Sequence, residues 1–476
     1  MKKILFSCAV LSAMMLVSCD GFLEQEPELS QSNELTLSSY DGINNATAGL
    51  YTMFQSASWF DGEYILSSEM RCGNAKKPLQ EPGSGRYTGY TTWIYNENST
   101  SPVWSYAYYT IAWANNVINA IPNIDINQER NATQADLDNL MAEALFVRAF
   151  CYHNLVTTYA QPYTYQPESL GVPVVLVTEN GTPARNTVAE VYTQIVKDLT
   201  DAEALMADGY QRAGVNDPVA AATKPAIQAF LSRVYLYMGN WQGAADYATK
   251  VINSGKFSLA DANTYKTMFS ASIATEGGEY IFEVFGDKLN SYWDASGWTH
   301  LPYITNFGDN GSADVCATMD LINLYEDGDV RLAMYQEHNG EYYCGKYTGK
   351  EGVQPRTTNV PLIRISEMYL NRAEALLNGA SVAGATAAGD LAAIAEKRGC
   401  TAAAATDQGI FDERRRELAF EGHIHYDYAR CKKSMTRTDF YDNVNQNVEF
   451  PSYMWALPIP KREMEANPNM EQNPGY

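Results

Sequence analysis

From Val188 to Met206 the apolar residues fall at steps of three, one and three: Val188, Val191, Tyr192, Ile195, Val196, Leu199, Ala202, Leu205 and Met206. With 3.6 residues to a turn, that spacing draws one stripe along a helix. Thr187 and Glu190 stand where a capping box satisfies the first free amides, so the helix begins there. A second stripe runs Leu137, Leu140, Met141, Ala144, Leu145, Arg148, Cys151, Tyr152, Leu155, Val156 and Tyr159. Arg148 interrupts this apolar face, and a guanidinium held there needs a carboxylate from a neighbouring helix; Glu367 or Glu374 is the expected partner. Residues 223–255 read as two helices joined by a tight turn. Pro225 fits the first turn, Gly239 ends the first helix, and Asn240 caps the second. Ala244, Ala245 and Ala248 keep the crossing small, and Gly255 ends the unit.

A single hairpin cannot bury its own stripe, so several must stack. The unit resembles a tetratricopeptide repeat. Residues 361–378 with 389–398, stopped by Gly399, read as another. Between about 260 and 360 the helical period fades, and Gly, Asp, Asn and Ser punctuate short aromatic stretches. Residues 71–105 look the same. Loops this long suggest function rather than connection. The fold class expected is mainly α: tetratricopeptide-like helical hairpins with a loop-rich, irregular insert forming the ligand face. Trp104, Trp113 and Trp241 fall in helical patterns and read as core.

Composition narrows the function. The 476 residues carry a formal net charge of −22, which argues against nucleic acid, because a phosphate binder needs a basic face. Tyr (33), Phe (16) and Trp (8) are plentiful, while five His leave little material for imidazole chemistry. Lys2 and Lys3 precede an apolar run, Ile4 to Val17, too short to span a bilayer. It ends in Leu16-Val17-Ser18-Cys19, similar to a bacterial lipobox. Residues 1–18 are therefore expected to be a lipoprotein signal peptide and Cys19 the acylated N-terminus, tied to the membrane by lipid rather than charge. Residues 19–40 read as an acidic tether and 41–476 as one domain. Its scaffold lies at about 105–258 and 361–430, and its loop-rich parts at about 60–104, 259–360 and 431–476.

Catalytic patterns are missing from the chain. It has no GxSxG, P-loop, dinucleotide-binding glycine fingerprint or HExxH. The six cysteines after Cys19 show no CxxC or metal-ligand spacing and read mostly as buried free thiols. His423 and His425 are two apart and share no helix face. Glu326, Asp327 and Asp329 could bind calcium or serve as glycosidase carboxylates, though in a chain this acidic they read as solvated charge. Glu413-Arg414-Arg415-Arg416-Glu417 reads as a mixed-sign helical face.

Six segments in order resemble the SusD/RagB family of surface lipoproteins. They are Cys19-Asp20-Gly21-Phe22-Leu23, the helix Arg148 to Val156, the hairpin Thr223 to Ile252, Pro361 to Leu376, Glu413 to His423, and the tail from Leu457 to Tyr476. After Glu421-Gly422 the family usually has "HRWFDLxR", where this chain has His423-Ile424-His425-Tyr426-Asp427-Tyr428-Ala429-Arg430. The resemblance implies a non-enzymatic, cofactor-free protein of the outer membrane, facing outward. It would capture oligosaccharide and deliver it to a partner SusC-like, TonB-dependent transporter. A RagB-like peptide binder would share the scaffold motifs, and a surface glycoside hydrolase would need two poised carboxylates.

The family's scaffold motifs carry no ligand residues, so the site is read from the loops. Sugar rings stack their C–H faces on flat aromatics while polar side chains bond the hydroxyls. Trp93, Trp293 and Trp298 are the expected stacking residues, with Arg71 and Asn98 as hydroxyl partners. This reading requires the fold to bring two distant loop stretches to one face.

Overall fold

The computed structural model describes residues 36–79, 83–99, 101–215, 217–286, 299–308, 311–353, 356–440 and 444–476. The leader, Cys19, Trp293 and Trp298 lie outside the described residues. Two helices, α1 (Tyr40–Leu50) and α2 (Glu63–Arg71), precede five more: α3 (Val103–Ala120), α4 (Gln134–Tyr159), α5 (Val188–Leu205), α6 (Lys224–Met238) and α7 (Trp241–Asn253). After the loop-rich stretch come α8 (Ile365–Leu377), α9 (Ala387–Arg398), α10 (Asp407–Glu417) and α11 (Ile424–Arg430). From α3 to α9 each helix packs on the next in chain order, and α7 meets α8 across the long intervening loops. The architecture is mainly helical with tetratricopeptide-like stacking, as expected.

Local chemistry sets the helix ends. Thr187 and Glu190 form the capping box of α5, and Thr133 with Asp136 forms another for α4. Gly239 ends α6 at φ 70° and Gly399 ends α9 at φ 69°, a left-handed backbone that glycine adopts without a Cβ penalty. Helix α4 is the central pillar: from Ala142 to Val156 every residue is buried. Phe150 stacks on Phe230 of α6 at 4.4 Å, and Phe146 meets Phe282 edge-on at 5.1 Å. At the α6–α7 crossing the Ser232 hydroxyl donates to Ala244 O at 2.9 Å, a closeness that the small residues permit.

Several expectations need correction. Pro361–Arg364 is not helical: Val360–Arg364 is a wholly buried strand, antiparallel to Tyr280–Val284, and α8 begins only at Ile365. A short apolar run before a helix fits either structure, and the available strand partner decides. Arg148 is buried and paired, but with Asp198 of α5 (2.7 and 2.8 Å) and with Asn115 Oδ1 (2.8 Å). Glu367 instead pairs with Arg233, and Glu374 with Arg430. Trp104 is core, whereas Trp241 is half-buried and Trp113 is 46% exposed. The mixed-sign helix α10 is largely interior: Glu413, Arg414 and Glu417 are buried in ion pairs. Asp329 is likewise buried against Arg331, while Glu326 and Asp327 are exposed. All six described cysteines are free thiols.

Candidate functional site

The two loop-rich stretches meet. A four-stranded sheet orders Ala75–Lys76, Cys316–Ala317, Glu341–Cys344 and Tyr335–His338 side by side, which ties the first stretch to the second. Asp61, just before α2, accepts the backbone N–H groups of His300 (2.5 Å) and Leu301 (3.2 Å). Burial pushes its carboxyl up to about 7 even though both bonds favour the charged form. The Tyr87 hydroxyl meets His300 Nε2 at 2.6 Å, and burial drives that imidazole down to about 3, so it is neutral near pH 7. Asp314 gathers the other strap: it accepts from Ser84 Oγ (3.0 Å), the Gly85 amide (3.3 Å) and Ser312 Oγ (2.7 Å), and it pairs with Arg86.

The result is a face built from residues 83–92, 299–308 and 311–314. Arg86 lies over the ring of Tyr303 at 5.4 Å, and Phe307 stacks on His338 at 3.6 Å. Tyr87, Tyr90, Tyr303 and Phe307 are all half-buried. Glu63 accepts the Tyr90 hydroxyl and is raised by burial to about 7. Flat rings flanked by fixed polar groups suit a ligand with apolar faces and many hydroxyls. Asp61 and Glu63 are spent on holding the loops. Among the described residues no group of three or more His, Cys, Asp or Glu could hold a metal ion.

The stacking residues expected from sequence fare differently. Trp93 is 1% exposed; it packs edge-on against Trp455 at 4.9 Å and donates its indole N–H to Arg71 O at 2.8 Å. Arg71 is 2% exposed, lies over the Trp93 ring at 4.7 Å and donates to Met454 O at 2.9 Å. Both are therefore interior. The gain from enclosing a large indole outweighs its position in a loop. Asn98 is exposed at the tip of that loop. Tyr87, Tyr303, Phe307 and Arg86 lie in the loop stretches that the sequence marks out, where tryptophan alone was expected to stack.

A helical-repeat scaffold carrying an aromatic, polar loop face is the architecture to be placed among known proteins. Comparison with known proteins gives the family. A family model described as starch-binding and associating with the outer membrane matches residues 21–236, and a SusD family model matches residues 331–476. The chain belongs to the SusD/RagB family. SusD-like protein P2 of Formosa agariphila is 26% identical over the full length of both chains. The starch-binding protein SusD of Bacteroides thetaiotaomicron is 33% identical over 25% of this chain and 22% of its own. A solved SusD superfamily structure from Bacteroides thetaiotaomicron superposes with a TM-score of 0.80 at 27% identity, covering 92% of this chain and 100% of that one. Among the described residues no helix is long and apolar enough to cross a membrane.

Proposed function

We propose that this protein captures oligosaccharides at the cell surface through the face formed by residues 83–92, 299–308 and 311–314, without chemical conversion. It then delivers them to a partner SusC-like, TonB-dependent transporter. The observation that carries the reading is the union of two distant loop stretches into one aromatic and polar face, in a chain of a family with starch-binding members. The two carboxylates beside this face are already engaged, which favours binding over hydrolysis there: Asp61 accepts two backbone amides, and Glu63 accepts the Tyr90 hydroxyl.

A glycan-array screen followed by calorimetry tests the site. Tyr303→Ala should weaken binding of the best array hit by about 1–3 kcal/mol, by analogy with stacking of bases on aromatics, and leave the fold intact. Unchanged affinity in both Tyr303→Ala and Phe307→Ala would exclude this face. Binding to a peptide library with no array signal would favour a RagB-like peptide binder instead. Anchoring rests on Cys19: Cys19→Ala should move the protein out of the detergent phase on partitioning, and continued partitioning there would refute the acylation site.

A further inference from the structure

A second groove, of about 440 Å³, lies between residues 161–170 and 451–474 and draws no residue from the loop face. Two tyrosines line it, each braced edge-on by another ring. Tyr165 meets Phe450 at 5.1 Å and 71°, and Tyr453, 45% exposed, meets Tyr476 at 5.0 Å and 81°. Edge-on bracing fixes each ring, and Gly475 lies close against the Tyr453 ring, which leaves its other face for further contact. Gln161 donates to Ser452 O (3.2 Å) and Tyr453 O (3.4 Å), while its Oε1 is enclosed and accepts from no described group. Enclosed acceptors without a donor are rare in native proteins and invite an incoming hydroxyl. Gln166 and Glu471 are exposed on the rim, with Arg185 behind Glu471 as its electrostatic neighbour. The wall itself is fixed, since Gln472 bonds the Ile459 backbone in both directions at 2.7 and 2.9 Å.

No Lys, Arg or His stands among the described lining residues, and Arg185 behind the wall is taken up by Glu471 O (2.9 Å) and Asn473 Oδ1 (2.8 Å), so the groove presents amides and hydroxyls rather than an open cation. Fixed aromatic faces, amides and one carboxylate match a neutral chain of sugars. We propose that this groove is a second saccharide-binding site for a neutral glycan, an inference that rests on the reading of the protein as a glycan binder.

Hydrogen–deuterium exchange of the full chain in detergent micelles, with and without soluble starch and a soluble β-1,3-glucan, tests it. Protection is expected at 161–170 and 451–474 as well as at 299–308 with at least one probe. Tyr453→Ala and, separately, Gln166→Ala should abolish the first protection, leave the second, and weaken the groove's binding about tenfold. Both residues are exposed, so both variants should fold. Protection confined to the loop face, or groove protection that survives both substitutions, overturns the second site and leaves the function standing. No protection anywhere with either probe, together with a blank glycan array, overturns both.

Discussion

At the scale of single residues, burial separates two roles that look alike in sequence. Trp93 stands in a Gly-rich, Tyr-rich loop and is enclosed, while Trp113 stands on a helical stripe and is 46% exposed. Which side of a loop faces the core depends on distant segments, here the Met454–Trp455 turn, so no local pattern reports it. Arg148 shows the same division. Its place on an apolar face announces a buried pair, but its partner is 50 residues away on α5, and sequence spacing offers no means of choosing Asp198 over Glu367 or Glu374. Arg148→Met would leave the Asp198 carboxylate buried with Gln194 as its remaining hydrogen-bond donor among the described residues. That should cost about 3–5 kcal/mol in urea unfolding, whereas the double variant Arg148→Met with Asp198→Leu should recover much of the loss. Equal stability of the single and double variants would show that the pair is not coupled.

Elements were the most legible scale, because helix signals are local. Capping residues, one-sided stripes and stop glycines lie within a few residues of the ends they set, and α5, α6, α7 and α9 begin and end close to where these signals place them. The strand Val360–Arg364 escaped because its partner lies 80 residues earlier and five apolar-rich residues carry no period of their own. The turn between α6 and α7 is a clean test of the local rule. A Cβ at residue 239 would meet only Thr164 Cγ2 at 3.6 Å and Trp241 Cζ2 at 3.8 Å, both ordinary contacts. The cost of Gly239→Ala therefore comes from its φ of 70° and should be about 1 kcal/mol. Thermal melts would measure it, and a loss several times larger would point to steric conflict instead.

Over the whole molecule, the loop-rich insert is fastened to the helical scaffold by buried charge. Arg331, Lys346, Arg364, Arg398 and Arg416 interlock with Glu279, Asp329, Glu413, Glu417 and Glu421, so that five cations meet five anions and the cluster is neutral. Its members come from the strand pair, from α9 and α10 and from the loops between, which is why the sequence showed only a mixed-sign helix. Glu417 is the hub: its carboxylate meets Arg331 (3.1 Å), Arg364 (2.9 Å) and Arg398 (2.8 Å). Burial pushes its carboxyl up, but Arg398 and Arg364 outweigh that and hold it well below the usual carboxylate range. A carboxyl depressed in the folded state stabilises the fold fully above its unfolded value, near 4.5, and loses that contribution as pH falls toward the folded value. Glu417→Gln leaves three guanidiniums short of a counter-charge and should cost at least about 3–5 kcal/mol at pH 7. Because glutamine does not titrate, the gap between variant and wild type should narrow steadily as pH drops from 5 toward 2. Urea midpoints collected across that range would show it; a gap that stays constant with pH would mean that Glu417 contributes shape and hydrogen bonds rather than charge.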